Sequence, residues 1–229
     1  INRYKPDARE FGAVAVQTRA HAVGNPDAHL QAPLSMDDYL ASPYVVEPLR
    51  RDDCCLVSDG GAAIVLMSAA KAKELNLHRA VPILGLGQGQ ESWDVHLRAD
   101  LLRTMAAESA HAAFKMSGLT PADIGVAQIY DCFTVTVLQT LEDYGFAPHG
   151  QAGKRGLSEG FGIDGWLPLN TSGGLLSESG TPGLQLIIEG ARQMRGEARR
   201  QVKAPGACIV SNQGGSMHTH ATLILGEPS

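Results

Sequence analysis

The chain has 229 residues, 44% of them hydrophobic and 19% charged, with a formal net charge of −5. That is the composition of a globular protein with one large or two small cores. No basic run exceeds two residues, which excludes a nucleic-acid partner, since neutralising phosphates needs clustered Lys and Arg.

No apolar run approaches the roughly 18–20 residues of a membrane span, so no membrane insertion is expected. The chain opens Ile1-Asn2-Arg3-Tyr4, without a signal-peptide pattern, and reads as mid-domain material. Cys54, Cys55, Cys132 and Cys208 have no metal-ligand spacing and suit a reducing, cytoplasmic compartment. Cys54, Cys55 and Cys208 read as buried free thiols.

Residues 7–23 predict a helix with Phe11, Val14 and Ala15 on one face, ended by Gly24-Asn25-Pro26. The next thirty residues, rich in Pro and acidic side chains, read as an excursion with a helical turn at 36–40. Apolar runs at 54–57, 62–67 and 81–86 predict strands, with a small helix over 69–75. Gly85, Gly87 and Gly89 read as a glycine-rich loop after the third run, without the GxGxxG spacing of a dinucleotide site.

Residues 101–116 predict the clearest helix. Leu101, Leu102, Met105, Ala106, Ala112, Ala113 and Met116 recur at helical spacing, and Gly118 is the stop. Thr120-Pro121 opens a short turn, and 126–130 read as a buried strand. A helix over 134–144 carries Val135, Leu138 and Leu141 inward and ends at Gly145. Residues 147–168 read as a long glycine-rich loop, and Asn170-Thr171-Ser172-Gly173-Gly174 as a tight turn. Residues 182–195 predict a helix facing inward through Leu184, Ile187, Ile188 and Ala191. Strands at 208–210 and 218–225 flank an Asn212-Gln213-Gly214-Gly215 turn. The alternation from residue 101 onward specifies an α/β layer structure.

Reactive groups in such sheets collect where a strand's C-terminal end meets a helix N-terminus. Tyr130-Asp131-Cys132-Phe133 occupies such a junction. A phenol there can act as acid or base, with free amides and the helix dipole favouring its anion. The plainer reading is a buried tyrosine beside a helix-capping aspartate. The turns at 170–174 and 212–215 let backbone approach a ligand and present amides to an oxyanion. His218 and His220, two apart, share one strand face; without a third ligand nearby, no metal is expected.

Together these motifs resemble the thiolase superfamily, in its sterol-carrier-protein-type branch. The branch's His-Asp-Cys-Phe strand end is matched by Tyr130-Asp131-Cys132-Phe133, and its Asn-Pro-Ser-Gly-Gly turn by 170–174. Its Gly-His-Pro turn falls on Ser179-Gly180-Thr181-Pro182-Gly183 and its terminal glycine turn on 212–215. Upstream, Ser58-Asp59-Gly60-Gly61-Ala62-Ala63 is similar to the strand that closes the family's first half. The resemblance runs along nearly the whole chain. It implies the α/β thiolase fold, layered αβαβα and commonly a homodimer. Residues 1–90 are then a loop region plus the end of the first half, and 91–229 a complete second half. It also implies an acyl-CoA substrate, with coenzyme A as part of that substrate and no covalently bound cofactor. The family's nucleophilic cysteine falls in the early first half, which this sequence does not contain.

The departures from the pattern carry information. Tyr130 stands in place of the strand-end histidine. Gly180, or Thr181 after a one-residue shift, stands in place of the Gly-His-Pro histidine, and neither is a base. Asn212 and Gln213 stand where the terminal loop has a cysteine, which leaves Cys132 as the substitute acid/base. A strand-end tyrosine resembles the steroid side-chain-cleaving aldolases, thiolase-like lyases that work with a zinc-ribbon/OB-fold partner.

The expectation is therefore a retro-aldol lyase acting on acyl-CoA. Tyr130, Cys132 and His218 or His220 are its acid–base candidates, Asp131 orients the site, and the Gly214 and Gly215 amides are oxyanion donors. Asn170, Gly173, Gly174, Gly180 and Thr181 line the substrate. Two other readings stay open: an acyltransferase using a cysteine absent from this chain together with Cys132, and a non-catalytic acyl-CoA carrier or partner subunit.

Overall fold

The computed structural model describes residues 1–91, 95–98, 100–181, 183–215 and 217–228. Helix α1 spans Ala8–Ala22. It begins where Asp7 accepts the Arg9 amide at 2.8 Å and Glu10 accepts the Asp7 amide at 3.0 Å, a reciprocal cap. Ser35 and Asp38 cap α2, Met36–Ala41, in the same way. A small hairpin of β1, Tyr44–Val46, and β2, Leu49–Arg50, precedes the exposed helix α3, Ala69–Glu74.

The main sheet contains β3, Ile83–Gln90; β4, Ile124–Gln128; β5, Ala207–Gly214; and β6, Thr219–Gly226. Their order is β3-β6-β5-β4. Strand β6 runs antiparallel to both neighbours, while β4 is parallel to β5. Between β3 and β4 lies α4, Met105–Ser117; between β4 and β5 lie α5, Thr134–Asp143, α6, Ala152–Glu159, and α7, Leu184–Arg195.

The pleat sends alternate strand residues to opposite faces, and two apolar clusters form. Ala127, Ile209 and Ile224 pack with α1, α4 and α5 through Phe11, Ala110, Leu138 and Leu141. Val126, Cys208, Val210 and Leu225 pack with α7 through Leu186 and Met194. Helices thus cover both faces of the sheet. No helix of the described residues is long and apolar enough to cross a membrane.

Several elements differ from the sequence reading. Gly85, Gly87 and Gly89 are not in a loop; they are one face of β3. A Cβ at Gly87 would lie 1.9 Å from the Ser109 carbonyl oxygen, and one at Gly85 2.2 Å from that of Ala113. The alternation is a flat track on which α4 lies, so its period of two was a strand signal. The helix answers with small residues. Ala106, Ser109, Ala110 and Ala113 are buried, whereas Leu101 precedes the helix and Met116 is exposed.

The loop expected over 147–168 contains α6, whose Gly153 and Gly156 press against Glu10 and Phe161. The glycines that hid its periodicity are what let it approach. Helix α7 turns its inner face through Leu186, Glu189, Gly190 and Gln193, two positions off the expected Leu184, Ile187, Ile188 and Ala191. Polar partners of Glu189 and Gln193 set that rotation. Pro182, its expected first residue, lies outside the described residues.

The strands expected at 54–57 and 62–67 do not form. Val57, Val65 and Leu66 are 100%, 82% and 71% exposed. A strand needs one neighbouring backbone to pair with along its length; here Cys54 makes a single bridge to Phe133, and the Cys55 and Leu56 amides go to two different segments, at Cys132 and Leu175.

Candidate active site

Tyr130 to Phe133 leave the C-terminal end of β4 and enter α5. Asn170 extends β4's edge at this point. Its Oδ1 accepts the Ile129 amide at 2.7 Å and its Nδ2 donates to the Ile129 carbonyl at 2.8 Å, so one side chain replaces a strand neighbour. Asn170 holds a left-handed backbone, φ 48°, to do so.

Asp131 fastens the next turn. Its carboxylate accepts the Leu175 amide at 2.8 Å and the Leu176 amide at 3.2 Å, at the start of a wide helical turn over Gly174–Glu178. Gly174 must be glycine, since a Cβ there would lie 2.2 Å from Asp131 Oδ2 and its φ is +57°. Gly173, at φ +117°, turns the chain in front of it. Burial pushes the Asp131 carboxyl up to about 7 against the pull of these amides. Asp131 therefore ties the end of β4 to this turn rather than capping α5.

Behind the turn, Thr171 donates to Glu189 at 2.6 Å and receives from Gln128 and Gln193, both at 2.9 Å. The 170–174 turn is thus held from both sides of the β4 edge.

A third strip of chain crosses the site. The Cys54–Phe133 bridge sets an antiparallel register that puts Cys55 opposite Cys132, and the Cys55 amide donates to the Cys132 carbonyl at 3.0 Å. The Leu56 amide donates to Leu175 O at 3.1 Å, and Ser58 Oγ accepts the Gly180 amide at 2.9 Å. Buried Asp53 anchors the strip by accepting from Tyr39, Thr134 and the Arg50 amide. Cys54 and Cys55 are therefore half-buried at the site, contrary to the expected burial; Cys208 is buried. Gly180 has no space for a side chain, because a Cβ would lie 1.7 Å from the Leu56 carbonyl oxygen. Thr181 turns its methyl toward Gly60.

The Tyr130 amide donates to Ser211 Oγ at 2.9 Å, and its ring is half-buried. Burial raises the phenol above its usual range, and Cys132, Cys55 and Asp131 push the same way. The sequence reading, in which amides and the helix dipole favour the anion, is overturned: the phenol holds its proton. Burial likewise raises the Cys132 thiol, against hydrogen bonds to Thr136 and Gln213 that pull it down.

The two histidines do not share a strand face. His218 lies in the turn before β6, buried with its ring over Gly215, which is at φ +58° and leaves no room for a Cβ. His220 lies within β6 and is buried, its Nε2 2.9 Å from the Tyr144 hydroxyl, which also meets Thr222. It belongs to the layer between sheet and helices, with burial lowering it to about 4. Gly214 pairs with Thr219 at the end of β5, so the glycine turn begins at Gly215, three residues later than expected. Among the described residues no three His, Cys, Asp or Glu side chains are placed to hold a metal ion.

Residues 87–227 match the family described as thiolase C-terminal domain-like. The chain belongs to this thiolase family. It is 38% identical over 209 residues to a steroid side-chain-cleaving aldolase of Thermomonospora curvata, covering 88% of this chain and 53% of that protein. It is also 38% identical over 227 residues to a 17-hydroxy-3-oxo-4-pregnene-20-carboxyl-CoA lyase of Mycobacterium tuberculosis, covering 96% and 58%. Among solved structures, one titled Ltp2-ChsH2(DUF35) aldolase superposes with a TM-score of 0.93 at 35% identity, over 99% of this chain and 60% of that one. The chain thus spans between half and two thirds of the length of these relatives. Its sheet, covered by helices on both faces, is part of the thiolase fold.

Within this thiolase chain, three site residues had not been singled out, Cys55, Leu56 and Ser211, and Gln213 had been read only as part of the glycine turn. Cys55 and Leu56 lay in a run read as a strand. Ser211 and Gln213 alternate on one face of β5, toward α4 and α5, and only the sheet register brings them to the end of β4.

Proposed function

We propose that the full-length protein is a thiolase-like lyase that cleaves a β-hydroxyacyl-CoA by a retro-aldol step. The observation that carries this is Tyr130 together with Cys132 at the end of β4, where burial favours the neutral phenol, with Gly180 closed to any side chain that could serve as a second base. The groups sort into an acid and a base by their surroundings. Cys132 has a hydrogen-bond donor, Gln213 Nε2, at its sulfur, while the Tyr130 hydroxyl has no partner among the described residues. Cys132 therefore ionises first, and its charge holds the proton on Tyr130.

In this reading the Cys132 thiolate takes the β-hydroxyl proton, and the oxygen's electron pair forms the new carbonyl. The Cα–Cβ bond breaks, its electrons pass into the thioester enolate, and Tyr130 donates a proton to the enolate. No acyl-enzyme forms. Coenzyme A enters as part of the substrate and no bound cofactor is called for. Asp131 and Asn170 fix the geometry, Gly173 and Gly174 let the turn approach, and the Gly214 and Gly215 amides remain candidate oxyanion donors.

The names of the two lyase-type relatives support a bulky steroid acyl group. The paired title of the solved relative supports a second subunit, which we take to be of the zinc-ribbon/OB-fold type on a homodimeric thiolase core. Half-buried free thiols suit a cytoplasmic enzyme. The division into parts at about residue 90 is kept as a proposal, with β3 in the sheet of the second part.

The test is Tyr130→Phe in the full-length protein with its partner, assayed for ketone and shortened acyl-CoA. Turnover should fall by about 10²-fold or more, in line with the loss of a general acid. Unchanged turnover, or an acyl group trapped on a cysteine, would refute the lyase.

A further inference from the structure

Gln213 stands near the end of β5 on the same face as Ser211. Its Nε2 donates to Cys132 Sγ at 3.2 Å, across 81 positions of sequence. Its Oε1 is buried without a hydrogen-bond partner among the described residues.

The other side chain at this sulfur is Thr136, with Oγ1 at 3.6 Å. A threonine hydroxyl has one hydrogen, and that of Thr136 goes to the Phe133 carbonyl at 2.7 Å. Thr136 can therefore accept the S–H proton but has nothing to give to a thiolate. Gln213 is the one side-chain donor to this sulfur among the described residues. A donor stabilises the charged form of the group it meets.

The amide also suits both protonation states. With Nε2 toward the sulfur it donates to a thiolate; after a half-turn, Oε1 accepts from the thiol. A carboxamide cannot itself carry a proton at neutral pH, so its influence on chemistry passes through the sulfur.

We propose that Gln213 is the positioning residue of the site: it holds the Cys132 sulfur at the end of β4 and selects its thiolate. This rests on the reading of Cys132 as the base, but it is testable without turnover. The readout is the rate of Cys132 alkylation by iodoacetamide against pH in the full-length protein. Peptide mass spectrometry separates Cys132 from Cys54, Cys55 and Cys208, with Cys132→Ser as the blank.

Gln213→Leu removes the donor; Gln213→Glu keeps the shape and replaces it with an acceptor. Both should move the alkylation midpoint upward by about one pH unit or more, a roughly tenfold slower reaction at neutral pH, because a hydrogen bond to a charged group is lost. An unchanged midpoint in either folded variant overturns the proposal; if the leucine variant does not fold, the glutamate variant decides. A shifted midpoint with an unshifted pH profile of lyase turnover supports Gln213 as the partner of the thiol and removes Cys132 as the base. Loss of lyase turnover with no shift in the midpoint overturns the role of Gln213 and leaves the lyase standing.

Discussion

Asp131 and Leu175 lie 44 positions apart, and the carboxylate of one accepts the backbone amide of the other at 2.8 Å. That bond, with the Leu176 amide at 3.2 Å, joins the end of β4 to the turn after Gly173. Asp131→Asn keeps the shape but turns an amide donor toward a backbone donor. It should cost about 2 kcal/mol in denaturant unfolding near pH 8, the scale of a buried bond lost and a donor left unpaired. Because burial raises this carboxyl to about 7, its folded form favours the proton. Its contribution to stability is full below the ordinary carboxylate range and is lost as pH rises through about 7. The gap between wild type and Asp131→Asn should therefore narrow from about pH 5 to about pH 8.

Gly87→Ala should destabilise the protein by about 3 kcal/mol, because the new Cβ meets a helix backbone carbonyl at 1.9 Å, which cannot give way as a side chain would. Gly214→Ala, whose new Cβ would meet Thr219 Cβ at 3.8 Å, should cost less than about 1 kcal/mol. Thermal unfolding of the two variants checks the contrast. Equal losses would show that β3 is not pressed against α4.

His220 carries the opposite pH dependence to Asp131. Burial lowers its imidazole to about 4, so the folded form rejects the proton. The stability linked to it is present above its ordinary value of 6.5 and is lost as pH falls toward 4. His220→Gln keeps a polar partner for Tyr144 and has no charge to gain. Urea unfolding should show a shallower loss on the acid side in this variant. An unchanged slope would place the proton uptake elsewhere, His21 being the other buried histidine lowered to about 4.

Gly180→His puts a histidine where the thiolase pattern has one. It should give no thiolysis, and it should lower stability by about 2 kcal/mol or more, because Leu56 O occupies the Cβ position. A stable variant with new thiolase activity would mean that the strip over 54–58 moves aside.

What was legible in the sequence were features that depend on neighbours along the chain. Asp7 marked a helix start and Gly118 a stop, because caps are local hydrogen bonds, while the Thr104 cap went unread and α4 begins four residues after the expected Leu101. The junction at Tyr130 followed from a buried strand running into a helix. The glycines of β3 and α6 misled because glycine looks the same in a turn and at a close contact. The inner face of α7 was displaced because Glu189 and Gln193, polar by type, are buried on Thr171.

The sequence by itself determined the α/β class, the ordered motifs of the family, and tyrosine in the histidine's place. Only the tertiary structure decided what surrounds that tyrosine. It put Cys55 opposite Cys132, closed Gly180 with the Leu56 carbonyl, carried His220 away into the layer beneath α4 and α5, and brought Gln213 to the Cys132 sulfur. The physical reason is the sheet register. Parallel pairing of β4 with β5 joins residues 82 or 83 apart in the chain and so brings Gln213 to Cys132, 81 positions away, and no local pattern encodes which side chain of one strand will meet the end of another.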